Sequence, residues 1–329
     1  MVDKFSLLLQ TLSSLDTVLI SSHVAPDPDA IGSSAALALG LQALGKDVTL
    51  YYEDRVPKST LSLIPTELQS RLVQSVPQQQ FSALVVVDTA TKERVGKEHA
   101  ALLARGAITI NIDHHVSNTN WAQVNYIDAA APASAMIVYQ ILEGLNLPFT
   151  TAIANLLWAG LADDTGSFRF SNTTAQALEC AAKLVERGAD PAFVAETLYY
   201  SVPTRVLRLK ARALANLRMM LGGQLAAVVV SQALLTELGA GPEDTEGLVD
   251  EVRQLEGTVA ALLIREFDSG WKLSLRAKRR DLDVGAIAGE FGGGGHRAAA
   301  GCRINGSEDE VCRVIEESFG RALARLPAL

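Results

Sequence analysis

The sequence predicts an α/β fold in two parts: an N-terminal, mostly parallel sheet flanked by helices, then a smaller mixed α/β domain. Three observations predict it. The apolar runs of the first half are strand-length and nearly continuous, as strands buried on both faces are. Segments with helical periodicity alternate with them, which indicates crossover connections. Beyond residue 221 the pattern changes to closely spaced strands with fewer helices between them. A chain of 329 residues, 48% of them apolar, is long enough for two cores.

The elements follow in order. Thr17–Ser22 reads as a buried strand and Ala30–Leu44 as an Ala/Leu-rich helix ending at Gly45. Asp47–Tyr52, Ala83–Val87 and Ile108–Ile112 read as further strands. Helices are predicted over Ser134–Leu145, Thr151–Ala162 and Thr174–Arg187, the last stopping at Gly188. Pro191–Leu221 reads as mostly helical, interrupted near Pro203, and serves as a connector. Strands are expected at Gln224–Val230, Val259–Glu266, Trp271–Ala277 and Gly301–Ile304, with helices at Asp283–Phe291 and Glu308–Leu323. The expected domains are therefore 1–190, a connector 191–221, and 222–329.

Composition excludes several classes. No apolar stretch approaches the roughly 20 residues of a membrane span. Met1–Ser14 has no secretory signal pattern. Cys180, Cys302 and Cys312 are too few and too widely spaced for a disulfide framework or a zinc pattern, which fits a reducing cytoplasm. The formal net charge of −8 argues against a broad surface for long nucleic acid. It leaves room for a short substrate held by a local basic patch and metals. No partner protein is indicated, and a homodimer is compatible with the sequence.

The chemistry lies where the apolar runs stop, since ligands of open α/β sheets bind outside the carboxyl ends of strands. His23, Asp27 and Asp29 follow the first strand within seven residues. Asp29 would also suit a helix cap and Asp27 a turn. Asp88 ends the run ALVVVD, where a carboxylate is costly to bury unless it is paired or bound to metal. Asp113, His114 and His115 end ITINI. Asp163 and Asp164 close the run Leu156–Ala162. Of five histidines in the chain, three lie in the first two of these histidine-bearing loops. Carboxylates with a minority of imidazoles favour Mn²⁺ or Mg²⁺ over Zn²⁺ or Co²⁺. Two such ions sharing a carboxylate can activate water and stabilise a leaving oxygen.

The segments HVAPDPDAIGS, VVVD, NIDHH and ADDTGSF resemble the four motifs of the DHH phosphoesterases. In the second half, Ser274-Leu-Arg276 and Gly292-Gly-Gly-Gly295-His296-Arg297 resemble the DHHA1 substrate-binding domain. The resemblance implies two metal ions, manganese with Mg²⁺ or Co²⁺ as substitutes. It places His23 and Asp27 on one ion, Asp29, His114 and Asp164 on the other, and Asp88 between them. His115 would stand beside the phosphate as an orienting or acid group, and Asp113 behind it, fixing an imidazole tautomer. Asp163 lies one position from the family's aspartate and takes no metal role. Arg276, Gly293, Gly294, Gly295, His296 and Arg297 would bind substrate, the glycines as a loop whose N–H groups approach an anion. Lys278, Arg279 and Arg280 read as a solvated face. One departure is Pro28, which stands where the family has glycine.

Within the family, RecJ-type exonucleases carry further nucleic-acid-binding modules. Family II pyrophosphatases lack the glycine-rich domain, and membrane-tethered cyclic-dinucleotide phosphodiesterases carry transmembrane segments. The resemblance therefore implies a stand-alone hydrolase of short RNA, pAp or pApA, with a second domain that measures substrate length. A cyclic-di-AMP phosphodiesterase, a RecJ-like single-strand exonuclease and a metal-dependent nucleotide-binding regulator stand as alternatives.

Overall fold

The structure is a computed structural model that describes residues 3–267, 269–295 and 297–327. The chain divides between Ser201 and Val202 into two compact units. That division falls inside the segment expected as a connector.

The first unit is built on six parallel strands: β1 (Thr17–Ser21), β2 (Asp47–Tyr51), β3 (Leu72–Val73), β4 (Phe81–Val87), β5 (Gly106–Asp113) and β6 (Val124–Ile127). Their order across the sheet is β3-β2-β1-β4-β5-β6, with every neighbouring pair parallel. The order reverses between β1 and β4, which makes the carboxyl ends of these two strands the natural ligand position. The helices are α1 (Lys4–Ser14), α2 (Pro28–Ala43), α3 (Lys58–Leu61), α4 (Thr66–Gln69), α5 (His99–Leu103), α6 (Ser134–Gly144), α7 (Thr151–Asp164), α8 (Ala175–Glu186) and α9 (Pro191–Tyr199). One face of the sheet buries Val18, Ile20, Val85 and Ile110 among α2, α6 and α7. The other buries Leu19, Leu84, Val86 and Leu102. Burial on both faces is why the central strands read as unbroken apolar runs.

Two glycines let α2 and α7 approach closely. A methyl group on Gly32 would overlap the carbonyl oxygen of Leu156, and one on Gly160 would meet the carboxylate of Asp29. Pro28 fits without strain, because it is the first residue of α2 and Asp27 is the N-cap. A proline there has the φ the helix needs and lacks only an N–H that would go unpaired.

The second unit has α10 (Thr204–Ala215), β7 (Arg218–Met220), β8 (Leu225–Val230), α11 (Gln232–Leu238), α12 (Leu248–Arg253), β9 (Ala260–Phe267), β10 (Gly270–Ala277), α13 (Val284–Gly289), β11 (Gly294–Gly295), β12 (Ala299–Asn305) and α14 (Glu308–Ala324). The strand order is β11-β12-β10-β9-β8-β7, antiparallel except for the β8–β9 pair. One face packs Leu262, Ile264, Leu273 and Leu275 with Ile315 and Phe319 of α14. The other packs Val228 and Leu263 under Leu209, Leu235 and Val252.

The predicted elements recur with small shifts at their ends. The segment 191–221, read as mostly helical with a break near Pro203, is helical over Pro191–Tyr199 and Thr204–Ala215; only its end differs, where residues 218–220 pair with β8 as a strand. Helix α1, strand β6 and helices α11 and α12 were not anticipated. Among the described residues no helix is long and apolar enough to cross a membrane. The three cysteines are buried and unbridged.

Replacing Gly32 with valine should lower stability by about 1–3 kcal/mol through overpacking. At this size that corresponds to a fall in Tm on the order of 5 °C. Thermal unfolding checks it, and an unchanged Tm would contradict the close crossing of α2 and α7.

Candidate metal centre at the carboxyl edge of the sheet

The first loop leaves β1 and delivers two donors. His23 is buried and its Nδ1 lies 2.8 Å from the carbonyl oxygen of Val24, which can only accept. The Arg94 guanidinium lies 3.3 Å from the same Nδ1, so Nδ1 is engaged away from the site and Nε2 faces it. Nε2 lies 3.5 Å from Asp27 Oδ2 and 3.4 Å from Asp88 Oδ2. The other oxygen of Asp27 caps α2 by accepting from the Ala30 N–H at 2.9 Å. The residue that caps α2 is thus Asp27 and not Asp29.

Asp29 is fully buried and points away from its own helix start. Its two oxygens accept the N–H groups of Ser134 and Ala135, at 2.7 and 2.9 Å. Those are the first two residues of α6, whose amino end carries partial positive charge. Burial, and then the carboxylates of Asp88 and Asp164, push the Asp29 carboxyl well above its ordinary range.

Asp88 is the central acid. It sits directly after β4 with φ 58°, a left-handed conformation that aspartate tolerates better than most residues. This turn aims a buried carboxylate in two directions. Oδ2 faces His23, while Oδ1 lies 3.4 Å from His114 Nε2 and accepts the Ser134 hydroxyl at 3.0 Å. Burial alone would raise its pKa, but the flanking imidazoles of His114 and His23 outweigh burial and hold it well below the ordinary range.

His114 Nε2 also lies 3.0 Å from Asp164 Oδ2. Burial alone would lower both imidazoles, but Asp27 and Asp88 raise His23 to about 10, and Asp164 and Asp88 raise His114 to about 11. Asp164 is itself raised, first by burial. It is the last residue of α7, so it comes from a helix end and not from the end of a strand. The helix predicted over Thr151–Ala162 thus runs two residues further, through Asp163 and Asp164.

Two donor sets result. His23, Asp27 and Asp88 offer ligand atoms within 4.8 Å of one another, and so do Asp29, His114 and Asp164. Asp27, Asp163 and Asp164 form a further acidic group of this kind. Donors bound to one octahedral ion at 2.0–2.1 Å stand roughly 3 Å apart. The imidazole–carboxylate separations of 3.0–3.5 Å fit that spacing. The mix of oxygen donors with few nitrogens fits Mn²⁺ or Mg²⁺.

His115 borders both sets: with Asp88 and His114 it forms a further group of this kind, its Nδ1 3.7 Å from Asp88 Oδ1. Its Nδ1 lies 2.7 Å from Asp113 Oδ1, so Asp113 fixes the ring and leaves Nε2 free. Asp113 is fully buried, and its other oxygen accepts from Asn118 at 2.6 Å. Asn118 and Ser134 are functional supports that the sequence reading missed. Ser134 had a visible signal, since it opens a predicted helix, but nothing local told that its helix faces Asp29 and Asp88.

In the second unit Arg276 lies on β10, its Nε 3.8 Å from Asp250 Oδ1. Only the first half of the glycine run, Gly292 and Gly293, is a loop. Gly294 and Gly295 pair with Gly301 and Ala300 as the edge strand β11. Gly293 packs so tightly that a methyl group there would overlap the Gly301 carbonyl oxygen. Arg297 donates to the Asp281 carbonyl oxygen at 2.9 Å. His296 lies outside the described residues. Arg279 pairs with Asp281 at 2.6 and 2.8 Å, and Lys278 donates to the Leu255 carbonyl oxygen, so these two are not merely a solvated face.

Known proteins resemble this chain along nearly its whole length. Residues 17–161 match the DHH family, N-terminal domain, and residues 222–323 match the DHHA1 domain. The "bifunctional oligoribonuclease and PAP phosphatase NrnA" of Thermus thermophilus is 32% identical, over 97% of this chain and 96% of that protein. The protein of the same name from Bacillus subtilis is 27% identical, over 94% and 96%. An exopolyphosphatase-related protein from Bacteroides fragilis shares the fold, with a TM-score of 0.90 at 21% identity, covering 97% of this chain and 96% of that one. RecJ of Thermus thermophilus in complex with Mn²⁺ overlays with a TM-score of 0.55 at 17% identity, covering 98% of this chain and 54% of that one. The chain belongs to the DHH/DHHA1 family. It is a phosphoesterase, a hydrolase acting on phosphoric ester bonds.

Asn118 reaches the site through Asp113 and, more weakly, through the Thr89 carbonyl next to Asp88. Asn118→Ala should therefore lower kcat for a simple phosphodiester about tenfold, the effect typical of supporting partners. Metal content, read by elemental analysis, should stay the same; loss of metal would place Asn118 in the binding of the ions.

Proposed function

We propose that this chain is a two-metal phosphoesterase of short nucleotide substrates: oligoribonucleotides of a few residues, pApA and pAp. The observation that carries the two-metal reading is Asp88, whose two oxygens face two separate donor sets. The nucleotide reading is supported by the relatives from Thermus thermophilus and Bacillus subtilis, which cover nearly the whole chain.

In this reading His23 and Asp27 hold one ion, Asp29, His114 and Asp164 hold the other, and Asp88 serves both. Manganese is the proposed cofactor, with Mg²⁺ or Co²⁺ as substitutes, and the Mn²⁺-bound RecJ of related fold is in keeping with it. Two such ions would supply Lewis-acid polarisation of the phosphoryl group and an activated water. The chain's own residues do the rest. The amino end of α6 holds Asp29 in place through two N–H groups. The Ser134 hydroxyl orients Asp88. Asp113 fixes the His115 ring with Nε2 outward, ready to contact the phosphate as an orienting or acid group. The second unit adds Arg276, whose planar fork suits bidentate contact with a second phosphate. Gly293, Gly294, Gly295, Arg297 and His296 complete the proposed substrate residues.

A Mn²⁺-dependent panel of pAp, pApA, cyclic di-AMP, a five-nucleotide RNA and long single-stranded DNA tests the substrate class. Preferential turnover of the short RNA, pApA or pAp is expected; preference for the long DNA would overturn it. Asp88→Ala should abolish turnover, and retained activity would remove its shared role. His115→Ala should lower kcat with metal content near normal. Loss of metal in that variant would mean that His115 is itself a ligand.

A further inference from the structure

The face of the second sheet that carries Arg276 also carries a row of three cations. Lys272 of β10 stands in register with Arg265 of β9 on one side and Arg303 of β12 on the other. Register partners project from the same face, and like charges directly opposite one another destabilise a sheet. Among the described residues, none of the three has a hydrogen bond or ion pair with an acid. Arg265 is only 9% exposed, at the margin of the layer formed by α10, α11 and α12. Its stem is buried while its guanidinium nitrogens still reach solvent, where an anion can meet them. Burial, and then the neighbouring Arg303, lower its pKa, with Glu243 acting weakly in the opposite sense. Burial, followed by Arg265 and Arg303, lowers Lys272 as well. Arg303 is held over the ring of Phe267, its guanidinium carbon 4.5 Å from the ring centre. Three mutually repelling cations held side by side in a chain of net charge −8 call for a ligand.

The surface between this row and Arg276 is open. Residues 272, 274 and 276 of β10 share one face, as alternate strand residues do. Ser274 stands opposite Gly301, and Gly301 opposite Gly294, so β10, β12 and β11 present only small groups there. From Lys272 to Arg276 is four residues, roughly 13–14 Å along the strand. The result is a shallow trough with a cation at one end and three at the other.

We propose that Arg265, Lys272 and Arg303 form a second phosphate position, which takes a backbone phosphate of a single-stranded oligonucleotide whose other phosphate lies near Arg276. The inference rests on the short-nucleotide reading above and deepens it. Arg265, whose stem is buried, forms the inner side of the position, while Lys272 and Arg303 close on the phosphate from the exposed side. The small floor lets a sugar-phosphate strand run between the two ends. A substrate as short as pAp would not span both.

The test is direct binding without turnover. A fluorescent five-nucleotide RNA is titrated in EDTA against the full chain and its Lys272→Ala/Arg303→Ala variant, at several salt concentrations. Both side chains are exposed, so the variant should fold; Lys272→Arg/Arg303→Lys controls for charge. The double alanine variant should raise the pentanucleotide Kd by roughly five- to twentyfold and reduce the salt slope by about one. The charge-keeping variant should restore binding, and pAp binding should change less than twofold. Unchanged pentanucleotide binding would overturn the inference, as would equal weakening of pAp. So would competition by inorganic phosphate at the concentration of the RNA, because the row would then be a plain anion site. Row-dependent RNA binding by a chain that hydrolyses no short nucleotide would refute the proposed function alone. Turnover of short RNA with unaltered binding in the double alanine variant would refute this inference alone.

Discussion

Four carboxylates converge at one edge of a sheet, and their mutual repulsion is the constraint around which the first unit is organised. Asp29 and Asp88 are almost wholly buried, and Asp27 and Asp164 face the same imidazoles. Charges this close cannot all remain ionised in an apolar interior without compensation. The chain provides some of it. Two imidazoles are raised far enough to hold protons, and the amino end of α6 gives two N–H groups to Asp29. That is less positive charge than negative. Divalent cations held by these carboxylates and imidazoles would make up the difference.

The fold supplies the geometry that such a centre demands. Helices α2 and α7 must cross closely enough to bring Asp29 and Asp164 to the same imidazole. Gly32 and Gly160 permit that approach by lacking side chains where the helices meet. The strand order reverses between β1 and β4, so the loop after β1 and the turn at Asp88 open onto one crevice. Asp88 reaches both donor sets because its backbone turns into the left-handed region directly after an extended strand. The backbone strain of about 1–3 kcal/mol that such a conformation stores is typical of functional positions.

Much of this was legible in the sequence because apolar strands and polar strand ends are local signals. The runs around Val18, Val85 and Ile110 announced a sheet covered on both faces, and His23, Asp88, Asp113 and His114 stood where those runs stopped. The illegible parts are non-local. Nothing near Asp29 in the chain tells that its carboxylate will seat on Ser134 and Ala135, over a hundred residues away. Asn118 looks like any polar loop residue until β5 places Asp113 beside it. Asp164 was visible at the end of a predicted helix, but nothing local told that this helix end faces His114. The glycines at 292–295 suggested a loop, whereas pairing with β12 needs bare backbone at Gly293 for another reason, the close passage of Gly301. The terminal fragments of both sheets are too short to carry a period, which is why β3 and β11 leave no pattern.

The two units handle charge in opposite ways, and this bears on how an acidic chain can take a polyanion. The first unit concentrates negative charge that divalent ions would neutralise, so its attraction for phosphate would be local and short-ranged. The second unit sets its cations on an open sheet face: Arg276 at one level, and Arg265, Lys272 and Arg303 at another. With a Debye length of about 8 Å at physiological ionic strength, cations 13–14 Å apart act as separate positions and not as one field. A spaced pair of anchors favours ligands whose own charges have matching spacing, while the net negative charge offers long nucleic acid no continuous track. Selection for short substrates in this reading is therefore electrostatic, and it resides in the register of three strands.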